Sequence, residues 1–283
     1  MDPVPFTLLL LAGSIAAGFL GALTGLGGGV VIVPLLVMVF GVDMRYAIGA
    51  SLIAVIATSS GSAAAYVRDG FTNVRIGVLL EVATVLGALT GAYLAGLVDT
   101  DVLALIFGAA VLWSAWGAIK PPKPHGPELE PDRLATRLKL DSSFPEKQPD
   151  GTKKDTFYRV RQVPGGMAIM YGAGVLSAMV GIGSGIVKVL AMDRVMRLPF
   201  KVSTTTSNFM IGVTAAASAG VYFHRGQIDP VMCAPVVLGA LAGSLLGARV
   251  LPRVNVKWLR LLSATVITIA GVRFIIRGVE GLL

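Results

Sequence analysis

Long apolar runs, most of them close to the thickness of a bilayer's hydrocarbon core and the second of each set shorter, alternate with short charged loops along almost the whole chain. About 20 apolar residues at 1.5 Å rise span the ~30 Å core. Five such segments lie at roughly 6–24, 28–40, 46–67, 76–98 and 102–119, and five more at about 165–181, 185–192, 202–223, 230–250 and 257–276. Between the two sets, Lys120 to Pro164 is rich in Pro, Lys, Arg, Asp and Glu. Only 14% of the residues are charged, against about a quarter in a soluble domain. Mean hydropathy is correspondingly high, at +0.77. A helix satisfies its own backbone groups in lipid, so the chain reads as an all-α polytopic membrane protein.

The two sets of segments repeat one another. A gapless shift of 156 positions places Gly25, Gly27 and Gly29 on Gly181, Gly183 and Gly185. The same shift matches Ser51 with Ser207, Thr58 with Thr214, Ser62 with Ser218 and Tyr66 with Tyr222. It also matches Gly70 with Gly226, Gly87 with Gly243 and Gly91 with Gly247. Identity at Tyr and at loop Gly positions exceeds what shared apolar composition produces, so two homologous halves of about five segments are expected. The domain reading is 1–119 for the first membrane repeat, 120–164 for the linker and 165–283 for the second repeat.

Charge then orients the halves. If all ten segments cross, 19 basic residues fall on the linker's side, while only Arg45, Arg225, Arg273 and Arg277 fall on the other. If the short second segments are re-entrant, the split is 15 against 8. The sharper asymmetry favours ten crossings, an inverted repeat, a cytoplasmic linker and both termini outside. The expected location is the cytoplasmic (inner) membrane of the cell. Met1 to Thr7 has no basic n-region, so the first segment reads as a retained helix.

The net charge of +8 does not indicate a nucleic-acid partner, because the basic residues sit in loops between apolar segments. Cys233 is the one cysteine, and His125 and His224 are the two histidines, both outside segment interiors. That argues against a metal site, a redox pair or a hydrolytic centre, and no cofactor is expected. The linker carries two alternating stretches, Leu134 to Leu140 and Phe157 to Val163. A small β-hairpin and a disordered linker are both compatible with them.

Two glycine clusters interrupt the segments at matched positions: Gly25-Leu26-Gly27-Gly28-Gly29 and Gly181-Ile182-Gly183-Ser184-Gly185. Such clusters let a backbone leave helical geometry and turn N–H groups toward a ligand. The start of the helix that follows adds positive dipole. Matched interruptions in two halves of a transporter point to its substrate site, though small residues also serve close helix packing.

At this point the sequence resembles the sulfite exporter TauE/SafE family. The resemblance is carried by Gly21 to Gly29, by Val33-Pro34-Leu35, and by Ala47-Ile48-Gly49-Ala50-Ser51-Leu52. In the second half it is carried by Gly181 to Gly185 and Thr204-Thr205-Thr206-Ser207-Asn208. It covers both membrane halves and omits the linker. Ala50 stands at a position usually Thr, Ser184 replaces the middle Gly, and Leu190 stands opposite Pro34. The resemblance implies transport of sulfur-containing oxyanions or organosulfonates, with related carboxylated anions as a further class.

Lys188 is the sharpest single residue, an ionisable group inside an apolar segment where the first half has Ile32. Such a residue is costly in lipid and is a functional candidate unless it snorkels to the interface. The candidate substrate residues are Gly27, Gly28, Gly29, Ser51, Gly183, Ser184, Gly185, Lys188, Thr206, Ser207 and Asn208. Ser51, Thr206, Ser207 and Asn208 offer hydroxyl and amide donors, with capping and interhelical bonds as the plain alternative. Glu81 reads as an interfacial carboxylate, with a proton relay as the alternative if it is buried. Tyr66, Tyr222, Trp113, Trp116 and Trp258 read as aromatic belts.

The function expected is secondary transport of a small anion through alternating access. A co-transported proton or sodium ion is compatible with it, the bilayer is the surrounding partner, and oligomeric state is open. No GxxxxGK[ST] motif occurs, so the driving force is a gradient. An anion channel and a membrane-embedded enzyme or assembly factor are the other classes.

Overall fold

The computed structural model describes residues 3–24, 28–68, 70–119, 132–147, 153–250 and 256–282. The first half runs α1 (Pro3–Thr24), α2 (Gly29–Pro34), a π-helical turn π1 (Leu35–Val39), α3 (Met44–Arg68), α4 (Val74–Ala95) and α5 (Thr100–Ile119). A short α6 (Arg133–Arg137) and an antiparallel pair, β1 (Ser142–Lys147) and β2 (Lys153–Tyr158), follow. The second half runs α7 (Val163–Val180), α8 (Gly185–Leu190), π2 (Ala191–Val195), α9 (Phe200–His224), α10 (Pro230–Val250) and α11 (Val256–Leu282).

The 156-residue shift maps α2 onto α8, π1 onto π2 and α3 onto α9 end for end. Packing repeats as well: α1 lies on α10 as α7 lies on α4, and α3 lies on α10 as α9 lies on α4. The equivalent pairs α3–α9 and α5–α11 pack on each other. Among the described residues, five helices (α1, α3, α4, α7 and α10) hold stretches long and apolar enough to cross a membrane. Helix α4 shows why the outer surface faces lipid. Ile76, Leu80, Ala83, Gly87 and Gly91 are buried, while Val78, Val82, Leu86 and Tyr93 on the other side are exposed. A helix apolar on both faces fits an apolar solvent.

Glycines set the close contacts. A methyl at Gly87 or Gly91 would overlap the carbonyl of Tyr171 or Val175, and one at Gly174 would overlap that of Thr84. The equivalent Gly243, Gly247 and Gly18 press on Ile15, Phe19 and Ala240. Small residues four apart let backbones approach where lipid supplies no hydrophobic drive. These contacts also fix direction. Gly239, Gly243 and Gly247 meet Leu11, Ile15 and Phe19 in rising order, so α1 and α10 run parallel. Gly49 meets Gln227 and Gly61 meets Leu241, so α3 runs parallel to α10 too. Gly108 meets Gly271 while Gly278 meets Asp101 and Leu105, so α5 and α11 run antiparallel.

Because α1 and α3 point the same way, the chain between them must return. The return is made by α2 and π1, eleven residues that reach about 16 Å. Their helical length covers about half the hydrocarbon core. The π-turns are present in both halves, after Pro34 in one and after Leu190 in the other. Proline is therefore not their common cause.

The linker differs from its sequence pattern. Leu134 to Leu140 was compatible with a strand, yet Arg133–Arg137 is helical, started by Asp132, whose side chain accepts the Leu134 N–H at 2.9 Å. The hairpin lies further on, with Ser142 opposite Tyr158 and Phe144 opposite Thr156. Phe144, Tyr158, Leu140 and Val160 bury against Ile76, Leu80, Met196 and Leu198. Asn73 fastens the hairpin, donating through Nδ2 to Tyr158 Oη at 2.8 Å and to the Leu140 carbonyl at 3.0 Å. Burial pushes the Tyr158 phenol above its ordinary pKa, and the Asn73 bond opposes this.

Candidate functional site

The second-half break is strongly non-helical. Gly181, Ser184 and the intervening Gly183 have φ of 71°, 45° and 75°, all in the left-handed region. Gly181 closes α7, its N–H returning to the Ser177 carbonyl at 2.8 Å. Ser184 holds a conformation that costs a non-glycine residue roughly 1–2 kcal/mol. The first-half break is milder where it is described. Gly28 is right-handed at φ −62° and caps α2. Gly27 lies outside the described residues.

The two breaks meet. A Cβ on Gly29 would stand 2.5 Å from the Gly181 carbonyl oxygen and 2.8 Å from Ser51 Oγ. Ser51 on α3 donates to that same carbonyl at 2.8 Å. Ser207, its repeat partner on α9, donates to the Gly185 carbonyl at 3.2 Å. Both hydroxyls therefore hold the second-half break in shape, and neither proton is free for a ligand. Thr206 accepts the Asn73 N–H at 3.1 Å, which ties α9 to the hairpin's anchor. The Asn208 carbonyl accepts from Ser59 of α3, whose oxygen also takes the Gly212 N–H at 3.1 Å. Ser59 thus reaches into the α9 ladder where the halves cross.

Free polar capacity lies elsewhere. A cavity of about 30 Å³ opens between the halves, lined by Val30 of α2, Ala110 of α5, Ser177 of α7, and Ser184, Gly185 and Val187. It has room for one or two waters. Ser177 Oγ and Ser184 Oγ are buried without a hydrogen-bond partner. Buried polar groups are rarely left so, which makes each a candidate partner for a solvent molecule or ligand. Ser184 and Gly185 thus border a mostly apolar recess with two hydroxyl-bearing residues in its wall, Gly183 is not among its lining residues, and Gly29 lies one residue from its Val30 wall. Thr206, Ser207 and Asn208 are not among its lining residues.

Lys188 is fully buried and lies on α8, one residue beyond Val187, yet its ammonium turns away from the recess. It donates to Thr214 Oγ1 of α9, and Thr214 in turn donates to Glu81 Oε1 of α4 at 2.6 Å. The other Glu81 oxygen, Oε2, is buried and unpartnered. Glu81 had the pattern of an interfacial carboxylate but is 7% exposed. Hydropathy places a residue along a helix without saying what stands opposite. Thr214 appeared in the sequence only as the repeat partner of Thr58, and that duplication was the one signal available. Ser177 gave no signal at all.

The family model for "Sulfite exporter TauE/SafE" matches residues 9–274. The chain belongs to the sulfite exporter TauE/SafE family. This TauE/SafE protein is 26% identical over 281 residues to the "Probable membrane transporter protein YunE" of Bacillus subtilis (strain 168), covering 97% of this chain and 98% of the relative. It is 25% identical over 256 residues to "Probable membrane transporter protein YdhB" of the same organism, covering 88% and 92%. A "Probable membrane transporter protein" of Xylella fastidiosa (strain 9a5c) is 25% identical over 231 residues, covering 81% and 79%. No solved structure gives a significant match. Family and relatives make it a multi-pass membrane transporter.

Proposed function

We propose that this TauE/SafE protein is a secondary transporter of a small sulfur-containing oxyanion or organosulfonate. The observation that carries the reading is the contact of the two breaks beside a recess with two unsatisfied hydroxyls, one residue from a buried lysine. An anion entering the recess is offered the Ser177 and Ser184 hydroxyls. Rotation of Lys188 away from Thr214 would add the cation. Neutral and charge-assisted donors together replace part of an oxyanion's hydration. Helix α8 has six residues, so its dipole is a minor contributor.

The antiparallel run of the equivalent helices α5 and α11 supports an inverted repeat about a pseudo-two-fold axis, and Gly29 meets Gly181 between the halves. Rocking of the halves about that axis would open the recess to each side in turn. Neither break carries a nucleophile–base pair, which favours carriage over chemistry.

Thermal unfolding of the purified protein with sulfite, thiosulfate, methanesulfonate and small carboxylates tests the reading. A sulfur anion at about 100 times its Kd stabilises by about 2.7 kcal/mol. Stabilisation by carboxylates alone, or by none of the panel, contradicts the proposed substrate class.

A further inference from the structure

Resting on that reading, we infer that Glu81, wired to Lys188 through Thr214, is a proton site that couples one proton to each negative charge carried. Two buried ionisable groups face each other without direct contact, and one hydroxyl lies between them. Thr214 Oγ1 has three partners: the Lys188 ammonium as donor, and Glu81 Oε1 and the Met210 carbonyl, at 2.6 and 3.0 Å, as acceptors. One hydroxyl proton serves one acceptor at a time. With Glu81 ionised, the proton points to Oε1. With Glu81 protonated, the carboxyl O–H can donate to Thr214 and the threonine proton turns to Met210. The arrangement is satisfied in both states.

Charge balance gives the direction. Isolated charge is expensive in a dry interior. Lys188 as ammonium and Glu81 as carboxylate sum to zero. A monoanion drawn to Lys188 makes the set negative, and one proton on Glu81, forming one O–H bond from a solvent proton, restores neutrality. The orphan Oε2 is the second oxygen available to that proton. Among the described residues of α7, α9 and the hairpin, no other group substitutes. Helix α7, packed along α4, carries no Asp, Glu, Lys, Arg or His, and its Tyr171 is bonded to Thr90. On α9 Lys201 and His224 sit at the two ends, and Tyr222 is bonded to the Ala178 carbonyl. The hairpin brings Tyr158, engaged by Asn73. Asp193 of π2, in the second half, is the other buried carboxylate among the described residues and has its own interaction.

The test uses the full chain in proteoliposomes with labelled methanesulfonate, which carries its own charge at every working pH. The wild type should accumulate the probe under an inward acid gradient, up to about tenfold per pH unit for a one-to-one couple. Glu81→Gln should keep probe exchange at equal pH on both sides, yet lose accumulation and pH dependence. Thr214→Val should slow the coupled flux at least tenfold. For the wild type in weak buffer, adding the probe should draw one proton per bound anion, a measurement that needs no variant. Accumulation by Glu81→Gln equal to wild type, or no proton uptake by wild type on binding, would overturn the inference while leaving anion carriage standing. Absence of exchange by the wild type itself would overturn the reading beneath it, and the inference with it.

Discussion

Ser51 donates its hydroxyl to the carbonyl of Gly181, 2.8 Å away and 130 residues along the chain, so the first half grips the break in the second. Both groups are out of solvent, and losing the donor leaves the carbonyl unsatisfied at a cost of about 1–3 kcal/mol. Ser51→Ala should lower the unfolding temperature and slow anion exchange together. An unaltered exchange rate would show that the grip does not shape the recess.

Gly29 tests the meeting of the breaks by steric means. Gly29→Ala places a methyl 2.5 Å from backbone oxygen, and neither break has a flexible side chain there to yield. Exchange should fall at least tenfold. Gly172→Ala on α7 is the control, since nothing stands within 4 Å of its Cβ. It should be neutral or up to about 1 kcal/mol stabilising, through helix propensity alone.

Ser184 combines strain with function. Ser184→Gly relieves the left-handed backbone and should raise stability by about 1 kcal/mol. The same change removes one of the two recess hydroxyls, so the shift in unfolding temperature on adding sulfite should shrink. A variant that is more stable and equally responsive would remove Ser184 from the site.

Asn73 holds the hairpin to the membrane helices and caps α4, accepting the Ile76 N–H at 3.1 Å. Asn73→Ala removes the cap and both Nδ2 bonds, the cap alone being worth about 1 kcal/mol. Limited proteolysis within 140–160 should accelerate. Equal cleavage rates would mean that the buried Phe144 and Tyr158 hold the hairpin without help.

The buried pair predicts a non-additive result. Lys188→Met leaves the Glu81 carboxylate uncompensated, at about 3–5 kcal/mol. Adding Glu81→Gln removes that charge, so the double variant should fold better than the single one. Thermal unfolding of both proteins checks this, and a double variant less stable than Lys188→Met would mean that the pair does not interact.

Much of this architecture is visible in the sequence. The 156-residue register fixes equivalent helices because both halves must bury the same glycine-lined faces, and α3 and α9 obey it end for end. The π-turns are not legible, since Pro34 signals one and nothing signals the other. The candidate site is marked in the sequence by its glycines and by Lys188, whose chemistry is conspicuous in lipid. It is not legible in its pairings. Ser51 and Ser207 have ligand-binding chemistry but spend their protons on carbonyls. Glu81, Thr214 and Ser177 gain meaning only when α4, α7, α8 and α9 come together. A hydroxyl's partner is set by packing across a hundred residues or more, and no local pattern encodes it.

Counterflow of labelled sulfite into proteoliposomes preloaded with unlabelled sulfite measures carriage at the breaks most directly. Wild type should show transient accumulation, and the Lys188→Met/Glu81→Gln variant, folded but without its cation, should show less than a tenth of it. Equal counterflow in the two proteins would contradict an anion site built on the second break and Lys188.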